Sequence, residues 1–507
     1  MRERLTKLHR WCNKHEWLLF LLILVFVLRI PTLFTPHHYG DEEIYFVMGR
    51  AWSENVPMYE AMFDHKPPLL YILAGIGNTV FLFRGMLLAT MILHTVLFYN
   101  LAKKVLPKTR PILANISGLL FVILTSLPVL EGNIANAELF MMVPVTASLL
   151  LLSPFWEKGQ RQKAQGGYTR IAIAGLVAGV GWLFKVPVAT DVAAVALFVF
   201  VFGKNTWGES LRALLSRRFW VYLICFAVPL LLSFGYYYLK GDGQSYLDTV
   251  LTMNLGYVSS WSTSQYSFNP FRSGLVVRAT VLMGLSLLVY LVRKKLPRGL
   301  VLASLWFGFA FFGSLLSGRP YPHYLQEPVV PLSLLLSYLF VIENIAGWLV
   351  VMYLALWAGV TNRQIGFWGY PNLPIYRDFY EYTKRDISKQ QYFYRFDGAR
   401  RNYTIAEYLN QRMAPEDKLY LWGSDATIYN LTKRLPTGGK YIVNFHVADL
   451  HKHDYVIANL EKSQPKHMVI LPEKTHFPEL DEMIDREYIQ VFEYEGARVY
   501  MRINGIK

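Results

Sequence analysis

The segment 36–66 holds the densest group of side chains that could carry out chemistry. Its ionisable residues include two triplets, Asp41-Glu42-Glu43 and Asp64-His65-Lys66. If a helix begins at Asp41, Tyr45 lies one turn further along the same face. A carboxylate beside an aromatic ring can act as a general base towards an alcohol. The alternative is that Asp41 and Glu42 only stabilise a helix N-terminus, and the spacing alone leaves both interpretations open.

Lys66 carries a more specific signal because two prolines follow it directly. Proline at the start of a helix fixes the direction of the chain, so we expect Lys66 at the surface of a membrane, at the depth of lipid headgroups. An ammonium group there is a point-charge partner for a phosphate. The alternative is a lysine that merely extends its charged end towards water.

Two later positions add acidic and basic candidates. Glu138 directly precedes an apolar run, where an acid either serves a site or stabilises the helix dipole. Lys185 lies between two short apolar runs, and a salt bridge to Asp191, six residues later, is the structural alternative.

A further loop, SGRPYPHYLQEP, combines a fixed cation, an imidazole and a phenol in Arg319, His323 and Tyr324. An arginine fork suits a phosphate, although a single loop histidine is more often structural. The loop 240–272 is rich in aromatic and hydroxyl side chains. These suit a carbohydrate face or the interfacial belt of a membrane protein, and composition does not separate the two.

The elements that must position these residues follow from composition. Of the 507 residues, 53% are hydrophobic and 17% charged, and the mean hydropathy is +0.25. A soluble domain carries about 25% charged residues, so one soluble globular fold is excluded. The net charge of +15 lies almost wholly in residues 1–360, which hold 30 basic and 17 acidic side chains. A basic excess in the apolar part indicates membrane topology rather than nucleic-acid binding.

Apolar runs of about 17–25 residues are candidates for membrane helices. Eleven such runs are predicted, at 17–35, 85–102, 111–130, 139–155, 171–184, 187–203, 219–239, 273–292, 299–317, 323–342 and 345–360. Basic residues concentrate in alternate loops, with 21 on one side and seven on the other. The positive-inside rule then places the N-terminus in the cytoplasm and the C-terminal part outside. This requires that the apolar stretch 67–83 lies along the outer face and does not span.

From about residue 361 the sequence predicts a small α/β domain. Helical patterns at 402–413, 449–463 and 477–485 alternate with short apolar runs at 418–422, 467–471, 488–493 and 498–502. The letters EYEG before Ala497 indicate a hairpin turn. No glycine-rich phosphate loop occurs. Tyr441, His446, His451 and His453 match no ligand spacing on a helix, so a metal among them is disfavoured. Cys12 and Cys225 lie too far apart in sequence to form a disulfide framework or CxxC site.

Taken in order, these residues resemble the GT-C family of integral-membrane glycosyltransferases, and most closely bacterial relatives of the protein O-mannosyltransferases and the lipid A aminoarabinose transferases. Asp41-Glu42 follows the first apolar run, and Asp64-His65-Lys66-Pro67-Pro68 leads into the next apolar stretch. Glu138, Lys185 after GWLF, and His323-Tyr324 before a proline-containing run extend the resemblance over residues 15–345. It implies a mostly α-helical membrane domain over 1–360 with about eleven transmembrane helices, outer-face juxtamembrane helices and a catalytic outer loop at 36–68. A soluble domain at 361–507 follows.

The resemblance also implies roles for individual residues. Asp41 would be the base that takes the acceptor proton, Glu42 would assist or orient it, and Glu138 would be the second acidic residue. The residues expected to bind substrate or lipid phosphate are Tyr45, Asp64, Lys66, Lys185, Arg319, His323 and Tyr324. In some aminoarabinose transferases the residue before the lysine binds a metal, which here is His65. His323 would join it only if the fold brings them together, so a divalent metal is left open and no other cofactor is expected.

The implied reaction is an inverting transfer of a sugar from a polyprenyl-phosphate donor to a protein, lipid or cell-envelope glycan, on the extracytoplasmic face of the cell membrane. The sugar, the lipid chain and the acceptor are not readable from the sequence. Two other classes of protein, a transporter or flippase and a surface scaffold, predict different patterns. A transporter or flippase places its ionisable residues near the bilayer midplane and shows repeated halves, whereas here the acids lie in outer loops. A surface scaffold would leave Asp41 without a role.

Overall fold

The computed structural model describes residues 15–156, 167–254, 274–473 and 475–503. Within these ranges the chain is mostly helical, with four strands near its C-terminal end. The helices before residue 366 are α1 (Glu16–Arg29), α2 (Gly40–Ser53), α3 (Met58–Ala61), α4 (Leu69–Gly77), α5 (Val80–Val105), α6 (Ile112–Ser126), α7 (Ala137–Trp156), α8 (Gly167–Trp182), α9 (Val188–Ala196), α10 (Trp207–Leu214), α11 (Arg217–Leu239), α12 (Gly243–Leu247), α13 (Gly274–Val292), α14 (Arg298–Ser314), α15 (Gln326–Tyr338) and α16 (Ile345–Ile365).

Six helical segments among the described residues are long and apolar enough to cross a membrane: Glu16–Phe34, Val80–Val105, Ala137–Phe155, Arg217–Leu239, Gly274–Lys295 and Ile345–Ile365. Three shorter apolar helices are Ile112–Ser126, Val188–Val201 and Arg298–Ser314. Every predicted apolar run overlaps a helix. The count of eleven spans stays a prediction, since the shorter helices do not by themselves reach the thickness of about 30 Å of a hydrocarbon core.

The apolar stretch 67–83 does not form one continuous helix. Helix α4 ends at Gly77, and Asn78 adopts a left-handed conformation with φ of 52° before α5 begins. At a rise of about 1.5 Å per residue, the nine residues of α4 reach only about 14 Å. This agrees with the prediction that the stretch does not span.

The chain divides into two compact units. The first contains Met1–Ile30, Leu87–Gly235 and Thr252–Asn372, and the second contains Pro31–Met86, Tyr236–Leu251 and Leu373–Lys507. The second unit therefore combines the segment that carries both ionisable triplets with the C-terminal tail. The boundary near residue 361 that composition suggests stays a prediction.

Within the second unit, α2 and α4 approach each other through two glycines. A Cβ atom at Gly49 would lie 2.4 Å from the backbone nitrogen of Gly75, and a Cβ atom at Gly75 would lie 2.6 Å from the carbonyl oxygen of Gly49. Any larger residue at either position would push the helices apart. The contact fixes the helix that starts with the first triplet against the helix that follows the second.

The tail contains seven helices within the described residues: α17 (Leu373–Thr383), α18 (Lys389–Phe393), α19 (Ala399–Asn410), α20 (Thr427–Leu431), α21 (Asn444–Asp449), α22 (His453–Ser463) and α23 (Pro478–Glu487). Its sheet has the order β1-β2-β4-β3, from β1 (Leu419–Trp422), β2 (His467–Ile470), β3 (Tyr488–Tyr494) and β4 (Ala497–Arg502). β1 and β2 are parallel and wholly buried, and the other pairs are antiparallel.

The hairpin between β3 and β4 turns through Glu495 and Gly496, whose φ angles of 45° and 77° are both positive, as a two-residue type I′ turn requires. The four predicted strands and the predicted hairpin are confirmed.

Candidate active site

Asp41 lies in the first turn of α2 and remains partly exposed. The hydroxyl of Tyr45, one turn later, donates a hydrogen bond of 3.2 Å to Oδ2 of Asp41. The predicted placement of Tyr45 beside the acid is therefore confirmed. The geometry leaves Asp41 the most accessible carboxylate of its triplet, as a base that must meet an external hydroxyl requires.

Glu42 is turned away from that accessible position and is 1% exposed. Its carboxylate accepts hydrogen bonds from Nε and Nη2 of Arg84, at 2.5–3.2 Å. The same guanidinium donates to Oγ1 of Thr35 at 2.6 Å and to the carbonyl oxygen of Thr32 at 3.0 Å. Glu42 therefore fixes the start of α2 against the segment before it. Of the two roles expected from the resemblance, this geometry favours orientation of the neighbouring acid over direct assistance.

Glu43 is fully buried and ties α2 to the C-terminal tail. Its carboxylate accepts from Nδ1 of His37 at 2.9 Å and from Nδ2 of Asn430, on α20, at 2.7 Å. Burial alone would lower the pKa of His37, but the Glu43 carboxylate outweighs it and the net shift is upward. Burial also raises the pKa of Glu43, against the opposing effect of His37. No pattern in the sequence predicted Asn430 as a partner of α2.

Asp64 and Lys66 form a buried ion pair at the end of the same segment. Oδ2 of Asp64 accepts from Nζ of Lys66 at 3.3 Å and from the hydroxyl of Tyr71 at 2.8 Å. Burial alone would raise the pKa of Asp64, but Lys66 and His65 together hold it well below its ordinary range. Lys66 lies 4.8 Å from the centroid of the Tyr45 ring. Tyr45 thus contacts both the exposed acid of the first triplet and the ammonium of the second.

Asp64, His65 and His446 form the one group of three potential metal ligands within the described residues. One donor atom from each lies within 4.8 Å of the others. His446 is 6% exposed, its Nδ1 has no hydrogen-bond partner among the residues described, and burial lowers its pKa to about 4, so the ring is neutral at pH 7. Two imidazoles and a carboxylate are a donor set that zinc accepts. The residues therefore fit a divalent metal, although Asp64 also pairs with Lys66.

The histidines that lie together differ from those that the sequence suggested. His446 belongs to this group with His65 and Asp64, whereas His451 and His453 take part in no such group among the residues described. His323 instead pairs with Glu131. The sequence does not reveal this group, because no spacing rule connects His65 to a single histidine 381 residues later.

The first unit contains a second charged cluster. Nζ of Lys185 donates to Oε1 of Glu138 and lies 4.1 Å from the centroid of the Tyr324 ring. The salt bridge to Asp191 that was considered for Lys185 is not what the structure shows, because Oδ1 of Asp191 accepts from the indole of Trp306 at 2.7 Å. The structure therefore brings Glu138 and Tyr324 together around Lys185.

His323 adjoins this cluster through Tyr324, and Arg319 lies four residues before it in the same loop. Nδ1 of His323 lies 2.5 Å from Oε2 of Glu131, and both side chains are 3% exposed. Glu131 has a φ angle of 54°, a strained left-handed conformation for a non-glycine residue. The ring of His323 packs edge-on against Tyr324, with centroids 4.6 Å apart, and Arg319 is 8% exposed. No local pattern in the sequence links Glu131 to His323, which lies 192 residues later.

Residues 240–251 of the aromatic loop belong to the second unit. Oδ2 of Asp242 accepts from the backbone N–H of Tyr59 at 2.9 Å, and the rings of Tyr237 and Tyr246 pack edge-on against Tyr59. Residues 255–273, which carry most of the polar and aromatic sequence of that loop, lie outside the described residues. The two interpretations of this loop, a carbohydrate face and an interfacial belt, therefore both stay open.

Comparison with known proteins identifies the architecture. The family Ccs4_C, the C-terminal domain of the competence-induced protein Ccs4, matches residues 399–502. No protein of curated function matches the sequence. ArnT from Cupriavidus metallidurans bound to undecaprenyl phosphate has a TM-score of 0.58 at 13% identity, covering 97% of this chain and 98% of that chain. The chain has the GT-C fold.

Two further solved structures are similar. ArnT from the same organism in the apo state has a TM-score of 0.55 at 13% identity, with coverage of 97% and 98%. The apo oligosaccharyltransferase of Archaeoglobus fulgidus has a TM-score of 0.45 at 13% identity and covers 90% of this chain and 70% of that chain. The two ArnT structures confirm the fold expected from the sequence, and at this identity they do not extend to substrate.

Proposed function

We propose that the protein is a membrane glycosyltransferase that moves a sugar from a polyprenyl-phosphate donor to an acceptor on the extracytoplasmic face of the cell membrane. The observation that carries the proposal is the pair of contacts made by Tyr45. Its hydroxyl bonds the partly exposed carboxylate of Asp41, and its ring lies beside the ammonium of Lys66. A base and a cation for a phosphate are thereby held side by side in one unit.

In the proposed reaction, Asp41 accepts the proton of the acceptor hydroxyl as its oxygen attacks the anomeric carbon of the donor sugar. The new C–O bond forms as the bond from that carbon to the phosphate oxygen breaks, and the configuration inverts. The electron pair leaves with the lipid phosphate. Lys66 stabilises this developing negative charge, as fixed cations do in a site shielded from water.

Other charged residues support these two. Glu42 and Glu43 hold the start of α2 and so orient Asp41. Asp64 holds the ammonium of Lys66 in place until a phosphate arrives. By the resemblance to GT-C enzymes, we assign Lys185, Arg319, His323 and Tyr324 to contacts with the lipid phosphate and Glu138 to the role of second acidic residue. The contact between Glu138 and Lys185 adds that Glu138 also positions this lysine.

Chemistry and the fold both support the proposed donor class. A lipid-linked donor keeps its tail in the bilayer and exposes its phosphate at the surface, so no nucleotide site is needed. The ArnT structure of the same fold holds undecaprenyl phosphate, which is a polyprenyl phosphate. Nucleic acid is not expected as a partner, since the basic excess follows the predicted membrane topology.

A divalent metal is an optional component. Asp64, His65 and His446 would hold it, and when bound it would add positive charge towards a phosphate oxygen. The steps assigned to Asp41 and Lys66 do not depend on it.

The experiment is a transfer assay with purified protein in lipid nanodiscs and a panel of polyprenyl-phosphate sugars. Asp41→Asn should retain donor binding and lose turnover by at least about 100-fold, as removal of a general base does. Asp454→Asn, an exposed acid of the tail, is the matched control and should leave turnover unchanged. Equal turnover of Asp41→Asn and the wild type would refute the assignment of Asp41.

A further inference from the structure

An open cavity of about 660 Å³ lies within the second unit. One wall comes from residues 57–62, which contain α3, and the other from the loop 436–440 and the helix α22 of the tail. The functional residues discussed so far do not line it. A ligand in this cavity would therefore contact a set of residues separate from those described above.

The tail wall presents an aromatic platform. Tyr455, Asn459 and Lys462 share one face of α22 by their spacing of four and three residues. Tyr455 is 39% exposed. A Cβ atom at Gly439, where φ is 85°, would lie 2.4 Å from a carbon of the Tyr455 ring, so the ring rests directly on a bare backbone. A tyrosine held this way offers a fixed surface with one apolar face and one polar end.

The lining is positively charged. Lys418, Lys440 and Lys462 line the cavity, against one carboxylate from Glu60. Burial lowers the pKa of Lys440, and the nearby Lys452 adds to this effect, although Asp248 and Asp242 oppose it. Because its surroundings disfavour the charged form of this partly buried ammonium, binding of an external anion would stabilise that form.

The cavity is close in sequence and in space to the second triplet. Phe63 forms a parallel bridge with Tyr441, and their rings are 5.3 Å apart. Phe63 precedes Asp64 directly, and Tyr441 follows Lys440. An occupant of the cavity is therefore adjacent to the strand-like segment that leads to the proposed site.

We propose that this cavity binds the acceptor of the transfer reaction, and that the acceptor is a sugar bearing phosphate or carboxylate groups. The proposal rests on the proposed function and names its acceptor class. The lysines bind the anionic groups, and the ring of Tyr455 contacts the sugar. The same chemistry is found in soluble or wall-bound anionic glycans and in the headgroups of anionic glycolipids.

The test is calorimetric titration of the purified full chain in nanodiscs at low salt. Oligogalacturonate is the anionic probe, and its methyl ester is the neutral probe of the same shape. Oligogalacturonate should bind and the ester should bind at least about tenfold more weakly, since the anions supply the attraction, which salt should screen. A second arm compares nanodiscs of phosphatidylinositol and phosphatidylcholine, to show whether a lipid headgroup competes for the cavity.

Variants locate the binding. Lys440→Glu and Lys462→Glu should each weaken oligogalacturonate binding by about fivefold, and Tyr455→Ala should weaken it where Tyr455→Phe does not. Lys384→Glu makes the same charge change at an exposed position outside the lining and should have no effect. Donor binding should be unchanged throughout.

Equal binding of the acid and its ester, or equal loss in the Lys384 control, would overturn the inference while leaving the proposed function standing. Failure of the proposed function shows separately, as unchanged turnover in Asp41→Asn while the cavity still binds the anionic probe.

Discussion

Replacement of Glu42 by Gln separates an orienting role from a catalytic one. The substitution keeps the shape of the side chain but leaves the guanidinium of Arg84, which is 1% exposed, without its carboxylate. Two unit charges about 4 Å apart attract by about 4 kcal/mol at an effective dielectric constant of about 20. Breaking a buried pair by removing one partner costs about 3–5 kcal/mol. That is a large share of a total stability of about 5–15 kcal/mol.

The assay is thermal unfolding of the purified protein in nanodiscs, followed by tryptophan fluorescence, together with the transfer assay. Glu42→Gln and Arg84→Met should each lower the unfolding temperature clearly. The double variant should be less destabilised than the sum of the two, because it buries no unpaired charge. If Glu42 orients α2, the double variant should also recover part of the turnover that each single variant loses.

Two results would refute this reasoning. An unchanged unfolding temperature in Glu42→Gln would show that the pair does not stabilise α2. A turnover that stays lost in the double variant, despite restored stability, would return Glu42 to a direct role in proton transfer.

Three further predictions concern the partners of the site. Glu131→Gln should reduce turnover and alter its pH profile, because the imidazole of His323 loses its carboxylate partner; Glu131→Asp should restore part of both, and a pH profile identical to wild type would contradict this. His446→Ala should lower the zinc content measured by mass spectrometry if the ligand group binds metal, and equal content would exclude His446 as a ligand. His37 has a raised pKa beside Glu43, so its contribution to stability is full below about pH 6.5 and is lost as pH rises through the folded pKa. The difference in unfolding free energy between the wild type and His37→Gln should therefore shrink as pH rises over that range. A difference that stays constant with pH would contradict this prediction.

The sequence predicted features that depend on local periodicity and charge. The apolar runs, the four strands of the tail and the Glu495–Gly496 turn follow from spacing along a few residues, and each appears where expected. The contact between Tyr45 and Asp41 belongs to the same class, because one turn of a helix fixes it.

Features that depend on distant pairing were not predictable. The bidentate bond between Arg84 and Glu42 depends on how the start of α5 packs against α2, which no local pattern predicts. His446 and Asn430 lie in a part of the chain whose sequence pattern predicts only an α/β fold. A single polar residue carries no periodicity, so nothing local marks which one reaches a helix hundreds of residues earlier.

The bond between Glu43 and Asn430 joins residues 387 positions apart. The helix that carries Asp41 is therefore fastened by a residue that the ribosome adds 387 positions after Glu43. Until the tail has been synthesised and has folded, the carboxylate of Glu43 lacks this partner. A nascent or truncated chain that ends before Asn430 therefore contains α1–α16 but lacks one of the bonds that hold α2, the helix of the proposed base Asp41.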